Sequence, residues 1–282
     1  MLSVSIVTYQ TPAEELCRCL DSLDTSTVDR IYVVDNGRRV ETEELCRKNP
    51  KIEYIGNDNI GYGAAHNIAI RKAMEEGSDY HLVLNPDVYF SPEILVEILA
   101  FMDQNPDVGQ LQPKLVYPDG NLQMTVRRLP TPRDLIFRRF LPTGWNNKRD
   151  RRYTLSDWDH ADPLDVPYHQ GSFMFFRVDA LREVGLFDER FFMYPEDIDL
   201  TRRMHAKYRT LYWPKVEAVH CHRAQSYHDR RLLKIHLVNM IRYFNKWGWF
   251  FDGERRRLNR KLMDNLKGLN ETGAKNGGGN PQ

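Results

Sequence analysis

Short apolar, β-rich runs alternate with amphipathic stretches from Ser3 to Gln104. SVSIVTY, RIYVVDNG, IEYIGN and YHLVLNPD read as strands, and PAEELCRCLDSL, VETEELCRKN, YGAAHNIAIRKAMEEG and PEILVEILAFMDQ as helices. Such a βαβαβαβα series of near-continuous apolar strands predicts an α/β fold: a Rossmann-like, mostly parallel central sheet flanked by helices. Ligands of such sheets bind in the crevice beyond the carboxyl ends of the strands. The predicted strands end there on polar residues: Thr8 and Tyr9, Asp35 and Asn36, Asn57 to Asn59, then Asn85 and Asp87. Asp87, in LVLNPDVYF, therefore stands at a crevice mouth, where a carboxylate can hold a cation without being buried unpaired.

After Asp107 the pattern changes to mixed strands and irregular segments, with no Gly/Ser linker between the halves. The expected division is an α/β half over 1–107, a packed mixed half of the same domain over 108–226, a C-terminal helical segment over 227–267 and a disordered tail over 268–282.

Composition narrows the function classes. The chain has 282 residues, 41% hydrophobic, with 40 Lys and Arg against 39 Asp and Glu, so it lacks the uniformly basic balance of a nucleic-acid binder. No nucleic-acid partner is expected. The start, MLSVSIVTYQ, runs straight into a strand pattern rather than a signal peptide, and no apolar run reaches the roughly eighteen residues of a membrane span. A cytoplasmic protein, or one peripheral on the inner face of the membrane, is expected. Cys17, Cys19, Cys46 and Cys221 form no C-x-x-C pair and read as reduced thiols. The dinucleotide fingerprint G-x-G-x-x-G is absent, and SIVTYQTPAE lacks the Gly-rich basic loop of a nucleotide-sugar pyrophosphorylase.

Several stretches carry candidate chemistry, each with a plainer structural reading. In FFMYPEDIDLTRRM, Glu196, Asp197 and Asp199 follow Pro195; acids there complement a helix dipole, or supply a desolvated general base beside Phe191, Phe192 and Tyr194. His220 and His222 share one face of a strand, as a zinc pair, as one imidazole joining Asp87 at a hard cation, or as core histidine. NIGYG is a donor-contacting loop or a simple turn. The basic aromatic stretches Arg133 to Phe140 and Ile241 to Lys261 suit an anionic membrane surface, or a solvated helix face covering core aromatics.

Taken in order over roughly Ser3 to Trp249, SIVTYQ, VVDNG, NIGYGAAHNIAI, LNPDV, HQGSFMFF, GLFDERFFMYPEDIDLTRR and AVHCHRAQSY resemble the inverting glycosyltransferases of family 2, in particular rhamnosyltransferase-like members of polysaccharide biosynthesis. The resemblance implies a GT-A fold. It implies that Thr8, Tyr9 and Asp35 hold the base and ribose of a nucleotide-sugar, and that Asn59, Gly61, Asn67, Asn85 and Asp87 line the donor. Asp87 matches the last carboxylate of the D-x-D metal motif and His220 the metal-side histidine, which implies Mg²⁺ or Mn²⁺. Asn85 replaces the first acid, so metal affinity would lean on the donor's own diphosphate. Asp197 matches the catalytic base, and Gln170, Gly171 and Ser172 the acceptor-side segment, with Glu196 orienting base or acceptor.

The implied reaction moves a sugar, L-rhamnose among the candidates, from a dTDP- or UDP-sugar to a hydroxyl of a growing, lipid-linked cell-surface glycan. Galactose, glucose and their N-acetylated forms compete for the donor role. The other class kept open is a non-catalytic nucleotide-sugar-binding subunit of a glycan assembly complex.

Overall fold

A computed structural model describes residues 1–137, 147–221 and 230–276. The strands are β1 (Leu2–Thr8), β2 (Arg30–Asp35), β3 (Ile52–Gly56), β4 (Tyr80–Leu84), β5 (Val88–Tyr89), β6 (Val108–Val116), β7 (Leu164–Asp165), β8 (Phe173–Arg177) and β9 (Arg209–His220). The helices are α1 (Ala13–Asp21), α2 (Val40–Cys46), α3 (Tyr62–Glu75), α4 (Glu93–Gln104), α5 (Asn147–Thr154), α6 (Val178–Val184), α7 (Glu196–His205), α8 (Arg230–Trp247) and α9 (Gly253–Asn276). A π-helical turn spans Arg133–Phe137.

The strands form one sheet in the order β3-β2-β1-β4-β8-β6-β9-β5, with β7 paired to β9. β1 pairs in parallel with β2 and β4, and β2 with β3, as the strand–helix alternation predicts. β8 then enters antiparallel between β4 and β6, while β6 runs parallel to β9. The mixed half is thus a continuation of the same sheet, and its loops reach the carboxyl ends of β1, β2 and β4.

The core lies on both faces. Leu2, Val4 and Ile6 of β1 pack with Leu16 of α1 and Ile94, Leu95 and Ile98 of α4, whereas Val7 joins Ala65 and Ala69 of α3. The period of two along β1 also buries Ser3 and Ser5. Histidines satisfy them: Ser3 Oγ lies 2.8 Å from His81 Nδ1, His81 Nε2 2.8 Å from Ser5 Oγ, and Ser5 Oγ 2.7 Å from His66 Nδ1. Buried hydroxyls kept in a hydrogen-bonded chain avoid the desolvation penalty of unmade bonds.

The C-terminal helices are fastened through α7. Arg202, 1% exposed, grips Asp252 with two bonds of 2.7 and 2.8 Å and donates to Glu254 at 2.8 Å. Its guanidinium lies 4.0 Å from the centre of the Trp247 ring. One turn earlier, Asp199 accepts from Arg203 Nε and from Trp247 Nε1, at 2.9 and 2.8 Å. Removing one member of such a buried pair costs about 3–5 kcal/mol, because the other charge is left uncompensated.

One expectation is corrected. The segment from Gly268, read as disordered, is helical as far as Asn276, because Leu262, Leu266 and Leu269 form a stripe at helical spacing that packs with Val126, Trp158 and Tyr212. Residues 277–282 lie outside the described ones. None of the four cysteines is joined in a disulfide.

Burial holds the His66 and His81 imidazoles below their usual range, His81 at about 3, with His169 at about 3 and His160 at about 4. An unfolded chain takes up these protons below about pH 6.5, and the folded chain does not. Stability is therefore fully present above that pH and is lost as pH falls, by about 1.4 kcal/mol per pH unit for each such histidine. The raised carboxyls of Glu196 and Asp197 oppose the loss over part of the window. Urea titrations at about pH 7 and about pH 5.5 are expected to give the lower midpoint at the lower pH. Equal midpoints would show that these histidines charge freely in the fold.

Candidate active site

The parallel register sets Thr8, at the end of β1, beside Asp35, at the end of β2. Thr8 Oγ1 donates to Asp35 Oδ1 at 3.0 Å. Asp35 is fully buried and also accepts from the Gly37 and Arg39 amides at 2.9 and 2.6 Å and from the Tyr54 hydroxyl at 3.2 Å. Its carboxylate therefore shapes the loop after β2, forming a crevice wall. Tyr9 stands 52% exposed at the rim.

The NIGYG segment is a turn with a specific reason for its glycine. Gly61 has φ +97°, and a Cβ there would run into the Phe192 carbonyl. The Tyr62 amide donates to that same carbonyl at 2.9 Å, so the loop entering α3 lies directly on the segment that leads into α7. Asn59 Oδ1 receives the Gly61 amide at 3.2 Å and Asn36 Nδ2 at 3.4 Å. Asn67 is placed differently from Asn59. Its amide is engaged by the Phe187 carbonyl, the Phe187 amide and Glu189, at 2.9, 3.0 and 2.9 Å, so it braces α3 against segment 187–189.

Tyr62 joins the two halves of the site. Its hydroxyl lies 3.0 Å from Asn85 Oδ1 and 2.5 Å from the Gly171 carbonyl. Gly171 in turn donates its amide to Asp197 Oδ2 at 3.0 Å, and the Ile198 amide donates to Asp197 Oδ1 at 2.8 Å. A continuous chain thus runs from the loop after β4, which carries Asp87, to the first turn of α7. Burial pushes the Asp197 carboxyl up to about 6, against the downward pull of the two amides and of the Arg127 charge. Burial, and then the Asp197 charge, raise Glu196 well above the usual carboxylate range. Glu196 thus holds its proton more tightly than it would in water, and the charge of Asp197 beside it is part of the cause. Glu196 Oε2 and Ser172 Oγ are buried with no protein partner, and both stand beside this carboxylate in sequence or through Gly171.

Asp87 faces His220, with Oδ1 3.4 Å from Nε2. Gln123 fixes that imidazole: its Nε2 donates to the His220 carbonyl at 2.7 Å, which turns its Oε1 toward Nδ1 at 2.8 Å. Nδ1 must then be the donor, which leaves Nε2 facing Asp87. An imidazole nitrogen and a carboxylate oxygen converging in this way fit a divalent cation. Among the described residues no group of three or more His, Cys, Asp or Glu is arranged for a metal. His222, the second histidine of the zinc-pair alternative, lies outside the described residues.

On the acceptor side, Gln112 Nε2 donates to the Gln170 carbonyl at 2.7 Å and holds the Gln170–Ser172 segment in place. Asn85 receives that segment as well, its amide bonding the Ser172 carbonyl at 3.0 Å. Thr8, Asp35, Asn59, Gly61, Asn85, Asp87, Gln170, Gly171, Ser172, Glu196, Asp197 and His220 are thus linked around the strand ends, whereas Asn67 serves the scaffold. Sequence reasoning missed Tyr62, Gln123 and Arg127. Tyr62 lay beside a glycine already singled out, but nothing in GNLQMTVRR marks Gln123 or Arg127. Arg127 lies between the rings of Tyr153 and Tyr168, 6.0 and 5.8 Å from their centres.

Residues 3–185 match the profile described as Glycosyl transferase family 2. The chain belongs to this family. It is 31% identical over 241 residues to N-acetylglucosaminyl-diphospho-decaprenol L-rhamnosyltransferase of Mycobacterium tuberculosis, a match covering 80% of this chain and 77% of the relative. Among solved structures, the mannosyltransferase PcManGT from Pyrobaculum calidifontis, in complex with GDP-Man and Mn²⁺, superposes with a TM-score of 0.56 at 16% identity, over 97% of this chain and 79% of that one. S. aureus TarS 1-349 superposes with a TM-score of 0.53 at 16% identity, over 85% of this chain and 65% of that one. At such identities the likeness is one of fold, and the fold is the GT-A type that the motifs implied. This family 2 glycosyltransferase is rhamnosyltransferase-like in sequence.

Two glycines with positive φ separate backbone preference from close approach. Gly77, φ +78°, has nothing within 4 Å of a would-be Cβ, whereas Gly61 is blocked by backbone. Gly77→Ala is expected to cost about 1 kcal/mol and Gly61→Ala at least about 3 kcal/mol, since the chain itself must shift. Urea unfolding of the two variants checks this; equal costs would mean that the Gly61 loop yields.

Proposed function

We propose that this glycosyltransferase is an inverting enzyme in which Asp197 is the general base, Asp87 and His220 hold Mg²⁺ or Mn²⁺, and the donor lies across Thr8, Tyr9, Asp35, Asn59, Asn85 and Asp87. The donor is a dTDP- or UDP-sugar, with L-rhamnose favoured by the name of the M. tuberculosis relative. The acceptor is a hydroxyl of a lipid-linked glycan destined for a cell-surface polysaccharide, met from the cytoplasmic side by peripheral membrane contact. Among the described residues no helix is long and apolar enough to cross a membrane.

One observation carries the reading. The Asp197 carboxylate, raised to about 6, is tied through Gly171 and Tyr62 to the loop that carries Asp87. A base of that strength is ionised at neutral pH yet accepts a proton readily. The acceptor hydroxyl attacks the anomeric carbon from the side opposite the nucleoside diphosphate, its proton passes to Asp197, and the bond to the diphosphate oxygen breaks. No enzyme nucleophile is required, so one displacement inverts the anomeric centre. The cation, when bound, offsets negative charge on the diphosphate. Glu196, whose proton affinity is raised by burial and by Asp197, orients the acceptor or the base, and Gln170, Gly171 and Ser172 line the acceptor side.

Nucleoside-diphosphate release from dTDP-, UDP- and GDP-sugars, with Mg²⁺ or Mn²⁺ and then with EDTA, tests the class and the cation together. Selective, EDTA-sensitive release is the expected outcome; tight donor binding without turnover, even with acceptor, would identify a binding subunit instead. Asp197→Asn is expected to lower kcat by about 10²–10⁴-fold while donor affinity holds. In the wild type kcat/KM should fall as pH drops through about 6, because protonated Asp197 no longer accepts a proton. A flat profile there, or a fully active Asp197→Asn, would remove Asp197 from the base position.

A further inference from the structure

The turn between α8 and α9 presents two aromatic rings to solvent. Phe250 is 68% exposed and Phe251 92%, more than any other large hydrophobic residue among the described ones. The turn that carries them is stiffly built. Arg255, 3% exposed, donates to the Gly248 and Trp249 carbonyls at 3.4 and 3.1 Å, and Arg256 donates to the Phe250 carbonyl at 3.0 Å. Asp252 caps α9 by accepting the Arg255 amide at 2.9 Å, and Trp249 Nε1 bonds Asn245 at 2.8 Å. Three successive carbonyls are therefore held by guanidinium groups while the side chains of the last two residues before Asp252 point outward. Rings kept in water in this way forgo burial worth about 1.5–3 kcal/mol each, which marks a surface that meets something apolar.

The charge around the tip identifies the counterpart. From Arg230 to Lys267 the sequence carries eleven Lys and Arg against three Asp and Glu, although the whole chain is balanced at +1. Arg256, which adjoins Phe250, and Arg257, Arg260 and Lys261 on the following turns of α9 are exposed. Apolar rings beside clustered cations match the two components of an anionic leaflet, acyl chains under acidic headgroups. A neutral apolar protein face would leave the cations unanswered.

We propose that the Phe250–Phe251 tip inserts into an anionic lipid leaflet and fixes the height of the catalytic centre above it. The coupling is short and rigid. Asp252, next after the rings, is locked to Arg202 of α7 by bonds of 2.7 and 2.8 Å, and Asp197 lies in the first turn of that same helix. Five residues of helix separate Arg202 from Asp197, about 7.5 Å along the axis. The proposal rests on the reading of a lipid-linked acceptor, whose reacting hydroxyl stands at a defined distance from the headgroups. A tip that sets depth through α7 would bring the base to that hydroxyl.

The test is co-sedimentation of the full chain with phosphatidylcholine vesicles containing about 30% phosphatidylglycerol, and with phosphatidylcholine alone, comparing wild type with F250S/F251S. Wild type is expected to bind the anionic vesicles, less so at high salt. Its Trp249 fluorescence should be quenched by brominated lipid. F250S/F251S should bind at least about tenfold more weakly with an unchanged circular dichroism spectrum, since neither ring is part of the core. Absence of wild-type binding overturns the proposal, as does equal binding by the variant. A wild type that is dimeric by light scattering and becomes monomeric as F250S/F251S would overturn it too, in favour of a second copy covering the tip. Vesicle binding requires no turnover and nucleoside-diphosphate release requires no vesicles, so failure of the tip and failure of the glycosyltransfer reading are seen separately.

Discussion

The hydrogen bonds from the Gly171 and Ile198 amides to Asp197 are the interaction around which this molecule is arranged. A carboxylate drawn out of water holds its proton too tightly to serve as a base near neutrality unless donors stabilise the ionised form. Here the donors are backbone amides, one local and one from a segment 26 residues away. Placing that second amide requires β8 to lie antiparallel against β4, and it requires Tyr62 to hold the Gly171 carbonyl from the far side. The mixed half of the sheet therefore positions the proposed base as much as it supplies it.

The first turn of α7 shows how neighbouring acids acquire separate duties. Glu196 is buried with its proton affinity raised, Asp197 is held by two amides, and Asp199 is spent on Arg203 and Trp247. Helix periodicity explains the division: Glu196 and Asp199, three apart, share the buried face, whereas Asp197, one and two positions from them, leaves the helix in another direction. The same periodicity sends Arg202 to the C-terminal helices, where it is buried against Asp252 and Glu254. One helix thereby joins the crevice, the core and the turn that bears Phe250 and Phe251.

The proposed cation site is lean. Asp87 brings one charge and His220 one imidazole whose orientation is set by Gln123, so the protein offers less to a free cation than to one arriving with a diphosphate. Asn85, in place of a second acid, spends its side-chain oxygen on Tyr62 instead. A neutral side chain at this position and the chain linking the two halves of the site are thus the same structural choice.

Much of this was legible along the chain. The alternation of apolar strands and amphipathic helices determined the parallel half and the crevice at its carboxyl ends, because burial on both faces of a sheet leaves a direct mark on every strand. The ordered motifs also marked Asp35, Asp87, Asp197 and His220 as candidates, through the family resemblance that they carry. Local pattern does not reveal which atom fills a given donor or acceptor. Only the tertiary structure decided that Asn67 braces the scaffold, that Tyr62 bridges the halves, that Gln123 orients His220 and that the helix continues past Gly268. These outcomes depend on contacts between segments far apart in sequence, and a hydrogen bond or a packed leucine stripe exists only once both partners have been brought together.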